Sequence, residues 1–271
     1  MNKPVAQQKS GTAKNAFASI VIVVALVVAC LIYFLIMGSP SNFEDNNPAN
    51  HPLPGNYLGI IYKGGVIVPL LMTLLILVFT FSIERFLTIK KASGKTSAYS
   101  FLTKIRTMLS SNNVAAVEQE CDRQQGSLGN VVKAAMVKYR EVENEQQMDK
   151  DQKIVAIQKQ IEEATELEMP MLQKNLVFLS TIATVATLIA LLGTVLGMIR
   201  AFASLAQAGS PDSIGLATGI SEALINTAFG IGTSALAVIS YNYFTTMIDS
   251  LTYAIDEAGF SIINTFAATH K

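Results

Sequence analysis

From Ile214 to Tyr243 the chain reads IGLATGISEALINTAFGIGTSALAVISYNY, and Glu222 is its sole ionisable group ahead of the tyrosines. A helix crosses a bilayer with roughly 20 consecutive apolar residues, and this run exceeds that length. A carboxylate inside such a helix costs about 2.5 kcal/mol or more near the centre, so it faces a cavity or a partner rather than lipid. On a helix Thr218 and Asn226 lie one turn either side of Glu222, and Thr233 returns to the same face three turns on. Two readings stand at this point. Glu222 lines a path for an ion, a proton being the first choice, or it is a protonated glutamate hydrogen-bonded between helices.

Composition points the same way. Of 271 residues 51% are hydrophobic and only 15% charged, against about 25% charged in ordinary soluble domains. Positive and negative charges cancel, which leaves no basic patch for nucleic acid. Most of the charged residues crowd into 84–174. Cys30 and Cys121 make no ligand pattern and no evident disulfide. With His51 and His270 the only histidines, in a loop and a tail, neither a metal centre nor a histidine-based catalytic site is expected. No nucleophile–base pair or nucleotide-binding glycine pattern occurs, so the chain does not read as an enzyme.

Three further apolar runs precede the opening one. Residues 1–15 form a polar tail with Lys3, Lys9 and Lys14, followed by the run 16–37. A signal peptide has a core of about 7–15 apolar residues, so the longer run reads as an uncleaved membrane helix. Residues 38–63 are rich in Pro, Asn and Gly, a loop composition. A second span covers 64–83, with Pro69 near its start, where a missing amide donor is harmless. Glu84, Arg85, Lys90, Lys91 and Lys95 follow at once. The positive-inside rule then puts the N-terminus and 84–174 in the cytoplasm and 38–63 outside.

The 84–174 segment reads as helical. Ser111-Asn112-Asn113 before Val114 is a turn and cap, with Glu118 in the new helix, and Gly126-Ser127-Leu128-Gly129 is a second break. Val131, Val132, Ala135, Met136 and Tyr139 repeat at helical spacing, as do Ile154, Ile157 and Ile161. Glu162, Glu163, Glu166 and Glu168 read as a solvated helix face. A third span covers 175–204. On it Ser180, Thr184, Thr187 and Thr194 share one face, which reads either as interhelical glue or as the lining of a wet path. Gly193 and Gly197 form the GxxxG spacing that lets helix backbones approach closely. Arg200 is expected to snorkel at the outer end. Residues 205–213 make a short outer turn, 214–245 the fourth span, and 246–271 an amphipathic cytoplasmic C-terminal helix. The fold class is an all-α integral membrane protein with four transmembrane helices, the long helices extending into a cytoplasmic helical domain.

Two stretches carry a resemblance. Residues 191–199, LLGTVLGMI, followed by Phe202, are similar to the motif LLGTVxGMIxxF. Residues 219–228, GISEALINTA, are similar to GIAEALIATA, and 237–242, AVISYN, to AVxxYN. Together they resemble the MotA/TolQ/ExbB proton-channel family, closest to ExbB and TolQ, over roughly 175–245. The resemblance implies a subunit of the bacterial inner membrane, N-terminus cytoplasmic and the 38–63 loop and 205–213 turn periplasmic. It implies a homopentamer in membrane lipid around two copies of an ExbD/TolR-like single-span partner, whose membrane aspartate carries protons. The proton motive force then energises periplasmic and outer-membrane processes through a TonB-like protein. Protons are the coupling ion, and no cofactor is expected. Carried over from the motifs, Thr194, Glu222 and Thr227 line the proton pathway, and Asn226, Thr187 and Thr218 share it by spacing.

Three departures stand out. Thr187 and Ala190 replace a proline and a glycine, Asn226 replaces an alanine, and the 16–37 helix is an addition to the three-span ExbB/TolQ plan, expected at the periphery. A TolQ-like role in envelope maintenance, a MotA-like stator and a non-conducting scaffold are the alternatives.

Overall fold

A computed structural model describes residues 11–111, 113–206 and 212–269. Lys3 and Lys9 of the expected tail, Asn112 of the expected cap, the middle of the 205–213 turn and His270 lie outside the described residues. Among those described there is no strand, only an isolated bridge between Phe43 and Pro52. The helices are α1 (Gly11–Leu31), α2 (Tyr57–Tyr62), α3 (Ile67–Ala92), α4 (Ala98–Ser110) and α5 (Val114–Gln124). They continue as α6 (Gly126–Glu143), α7 (Lys150–Gln173), α8 (Leu176–Leu205) and α9 (Ser213–Thr269). Among the described residues, four stretches are long and apolar enough to cross a membrane: Ala18–Met37, Ile67–Ala92, Leu176–Leu205 and Ser213–Thr269. The chain divides into two compact units, residues 1–82 with 178–241, and 83–177 with 242–271.

In the first unit, α1 ends in a π-helical turn, Ile32–Met37. Helix ends leave carbonyls without intrahelical partners. Here the Asn42 amide answers them, donating to Ile36 O at 2.7 Å and Met37 O at 2.9 Å. The 38–63 segment differs from the expected plain loop, because it contains α2. Asn56 starts that helix by accepting from Gly59 N at 3.1 Å, as a capping asparagine does. Gly65, at φ +75°, then turns the chain into α3, so the second span begins at Ile67 rather than at residue 64. That conformation is open to glycine and costly for other residues.

The additional helix is packed into this unit. Ala29, Tyr33 and Met37 are buried against Val68 and Met72 of α3, with Ile225 and Phe229 of α9 beside them. Tyr33 also stacks on Tyr62, ring centroids 4.7 Å apart, and its hydroxyl donates to Tyr62 O at 3.0 Å. A buried phenol of this kind needs such a partner.

The second unit has its own core. Phe101 and Ile105 of α4, Val117 and Cys121 of α5, Leu128 and Tyr139 of α6 and Ile157 of α7 are all buried. From α9 it takes Ile248, Leu251, Ile255, Ala258, Ile262 and Phe266, spaced at three and four residues. Asn113 caps α5 and an Asp149–Gln152 capping box starts α7. Gln125 and Gly126, both at positive φ, separate α5 from α6, and Asn175 at φ 64° separates α7 from α8. Arg85, 1% exposed, ends α7 by donating to Met171 O and Leu172 O, both at 3.2 Å. Glu168 is tied down by Ser127 and Asn130 rather than merely solvated. The 214–245 stretch and the 246–271 tail lie on one continuous helix, Ser213–Thr269. No glycine or proline falls between Tyr241 and Ala258, so nothing interrupts α9 there.

Candidate functional site

α8 and α9 form an antiparallel pair, and small residues bring their backbones together. A Cβ placed on Gly193 meets Asn226 Cβ at 2.7 Å, and one on Gly197 meets Ala223 N and Gly219 O at 2.8 Å. On the other helix, a Cβ on Gly219 falls 2.6 Å from Ala201 N, and one on Gly230 falls 2.2 Å from Ala190 Cβ. None of these glycines accepts a side chain without the helices moving apart. Contacting residues lie symmetrically, to within two positions, about residue 210 of the sequence.

The close approach lets short polar side chains meet. The half-buried Thr194 and Thr227 hydroxyls are hydrogen-bonded to each other across the helix pair. Thr194 also reaches Ala190 O at 3.1 Å, and Thr227 reaches Ala223 O at 3.0 Å. Each threonine hydroxyl has one proton to donate. Two protons therefore serve three contacts, and the pair has two alternative arrangements related by a concerted turn of both hydroxyls.

Immediately before Thr227, Asn226 is fully buried and donates Nδ2 to Gly64 O at 2.9 Å. That bond fixes the amide's orientation and leaves Asn226 Oδ1 buried without a hydrogen-bond partner among the described residues. Glu222 is 6% exposed. Its carboxylate does not stand alone, as spacing suggested, nor does Arg200 snorkel free of it. Arg200 Nη1 donates to Glu222 Oε1 at 2.6 Å and to Oε2 at 2.8 Å. The pairing signal was present in the sequence, because a short turn between two spans brings residues equidistant from it together. Thr218 is exposed and lines an open cavity of about 620 Å³ together with Ser221, Lys63, His51 and Glu44. Thr187 is half-buried and donates within its own helix, to Ala183 O at 3.5 Å. Thr233, on the Glu222 face, is buried and donates to Phe229 O at 2.9 Å. Among the described residues no group of three or more His, Cys, Asp or Glu is placed to hold a metal ion.

Residues 124–257 match the MotA/TolQ/ExbB proton channel family. The match takes in just under half of the chain. Relatives include an ExbB-like biopolymer transport protein of Synechocystis, 37% identical over 86 residues, which are 31% of this chain and 41% of that protein. The Tol-Pal system protein TolQ of Haemophilus influenzae is 37% identical over 84 residues, 31% of this chain and 37% of TolQ. The biopolymer transport protein ExbB of Salmonella typhimurium is 37% identical over 73 residues, 27% of this chain and 30% of ExbB. The chain thus spans less than half the length of each of these relatives. Among the described residues, four helices long and apolar enough to cross a membrane accompany this similarity. The family match takes in Thr194, Arg200, Glu222, Asn226 and Thr227, while α1, α2 and the Gly64–Gly65 turn lie outside it.

Proposed function

We propose that this chain is the proton-channel subunit of an ExbB–ExbD-like complex in the bacterial inner membrane, its N-terminus cytoplasmic. A homopentamer of the chain surrounds two copies of a single-span ExbD/TolR-like partner, and a TonB-like protein passes the work to the periplasm and outer membrane. TonB-dependent import is the process favoured here. A TolQ-like role in envelope maintenance is the second reading, because a TolQ matches at the same identity as the ExbB proteins. A MotA-like stator follows third.

The observation that carries the reading is the Thr194–Thr227 hydroxyl pair, held inside two spans by the glycine seam. A hydroxyl both donates and accepts, so a pair with two proton arrangements can take a proton bond from one side and return it on the other. The partner's carboxylate supplies the titrating group. The chain supplies a wall that meets the carboxylate in either protonation state, and Thr187, Thr218 and Asn226 extend its polarity. Coupling through protons needs no cofactor, and the role is transport rather than catalysis of a covalent step.

The test is Thr194→Ala and Thr227→Ala in the complex, measuring proton flux into vesicles with an entrapped pH dye. Losing a positioned proton-transfer group lowers rates by about a hundredfold or more. Flux is expected to fall by that order with the oligomer intact, and Thr→Ser at either site restores it. Normal flux in both alanine variants leaves only the scaffold reading.

A further inference from the structure

Arg200 and Glu222 are the opposite charges that the α8–α9 pair brings together in its apolar stretch. The Glu222 side chain is 7% exposed and that of Arg200 56%, so one charge is buried and its partner half-solvated. Both carboxylate oxygens accept from one guanidinium nitrogen, an ion pair of the charge-assisted kind. The third wall of the site is backbone. A Cβ on Gly65 falls 2.3 Å from Glu222 Oε1 and 3.6 Å from Arg200 Nη1, so the Gly64–Gly65 turn lies directly against the ion pair. Asn226 grips the same turn through Gly64 O. Tyr62, two residues earlier, takes the Tyr33 hydroxyl bond from the additional helix.

We infer that Arg200 is the fixed counter-ion of Glu222, and that the pair is a clamp positioning α8, α9 and the Gly64–Gly65 turn, not a carrier of protons. This rests on the proton-channel reading above and narrows it. Glu222 is then structural, and the Thr194–Thr227 pair is the chain's own proton-handling element. The additional helix α1 then has a task, which is to brace through Tyr33 and Tyr62 the turn that closes the clamp.

A counter-ion pair and a proton carrier respond oppositely to neutralisation. Removing one member of a buried pair strands the other charge, whereas removing both together is close to neutral. The experiment uses the full chain co-purified with its single-span partner. It compares Arg200→Gln, Glu222→Gln, the double variant and the exchange Arg200→Glu/Glu222→Arg, reading oligomer yield and dye-reported proton flux. Each single variant is expected to lose about tenfold or more in assembled complex, and the double variant to return within about threefold of the parent in yield and in flux per complex. Arg200→Lys, which keeps the charge and one hydrogen bond, is expected to fall between.

Flux from the double variant as low as from Glu222→Gln, with normal assembly, overturns the inference, because Glu222 then moves protons itself. A double variant or exchange that assembles no better than the singles overturns it too, as does an Arg200→Gln variant that assembles and conducts normally. Thr194→Ala and Thr227→Ala run beside them keep the two readings apart. Normal flux in both removes the proton-channel reading, whatever the charge variants do.

Discussion

Gly55 and Gly65 allow the clamp's closing wall to be weighed. Both sit at nearly the same left-handed angle, φ +79° and +75°. A Cβ on Gly55 meets nothing within 4 Å, whereas one on Gly65 strikes the Glu222 carboxylate. Gly55→Ala therefore reports the backbone cost alone, about 1–2 kcal/mol for a non-glycine residue in that region. Gly65→Ala adds the displacement of a buried carboxylate from its partners, about 1–3 kcal/mol for a charged group left unsatisfied. Arg200's half exposure favours the lower part of that range, since solvent screens the pair. The difference of about 1–3 kcal/mol, at about 2–4 °C per kcal/mol, is a gap of several degrees in apparent Tm. Thermal scans of the two variants in the same detergent, beside the parent, measure it. Equal losses would falsify the close approach of the turn to Glu222.

Two other outcomes follow from burial and packing. Gly230→Ala is expected to destabilise by about 1–3 kcal/mol, because its new methyl overlaps Ala190 in a packed seam. Gly232→Ala, two residues on with nothing within 4 Å, is expected to be neutral or mildly stabilising in the same scans. In the second unit burial pushes the Cys121 thiol up from its ordinary 9.0 to about 12. The thiol is neutral in the folded state, so its contribution is complete below pH 9 and is lost as pH rises towards 12. Denaturant melts between pH 8 and 11 are expected to show alkaline destabilisation that Cys121→Ala reduces. Maleimide is expected to label Cys121 only after unfolding, and rapid labelling of the native protein refutes its burial.

Most of the helices were legible in the sequence because apolar length and helical spacing are local properties. The run around Glu222, the GxxxG at Gly193 and the core stripe from Val131 to Tyr139 each declare themselves within a few turns. What stayed hidden was pairing at a distance. Asn226 read as a polar neighbour of Glu222, yet its amide belongs to Gly64, far back in the chain. Tyr33 and Met37, at the end of the additional helix, reveal their burial only once Tyr62 and Val68 are beside them. The α2 helix was concealed by its short length, which leaves little room for periodicity to show. Arg200 is the instructive case. It stood next to a recognised motif and opposite Glu222 across a turn, and a register drawn about that turn pairs the two charges.

That register also makes packing and chemistry a single feature of the α8–α9 pair. A threonine side chain reaches only one atom beyond Cβ, so hydroxyls on two helices touch only where the backbones are unusually close. Gly193 and Gly197 supply that approach on one helix, and Gly219 and Gly230 on the other. Thr194 lies beside Gly193, and Thr227 beside the Asn226 that packs on it. Widening the seam by one methyl therefore parts the hydroxyls before it unfolds the helices. Nearer the turn, the longer Arg200 and Glu222 side chains meet in the same register, beside the equally close approach of Gly219 to Ala201. Short polar groups deeper in the seam and a long-armed ion pair nearer the turn follow from one hairpin geometry. It separates the group suited to passing a proton from the pair suited to holding the helices still.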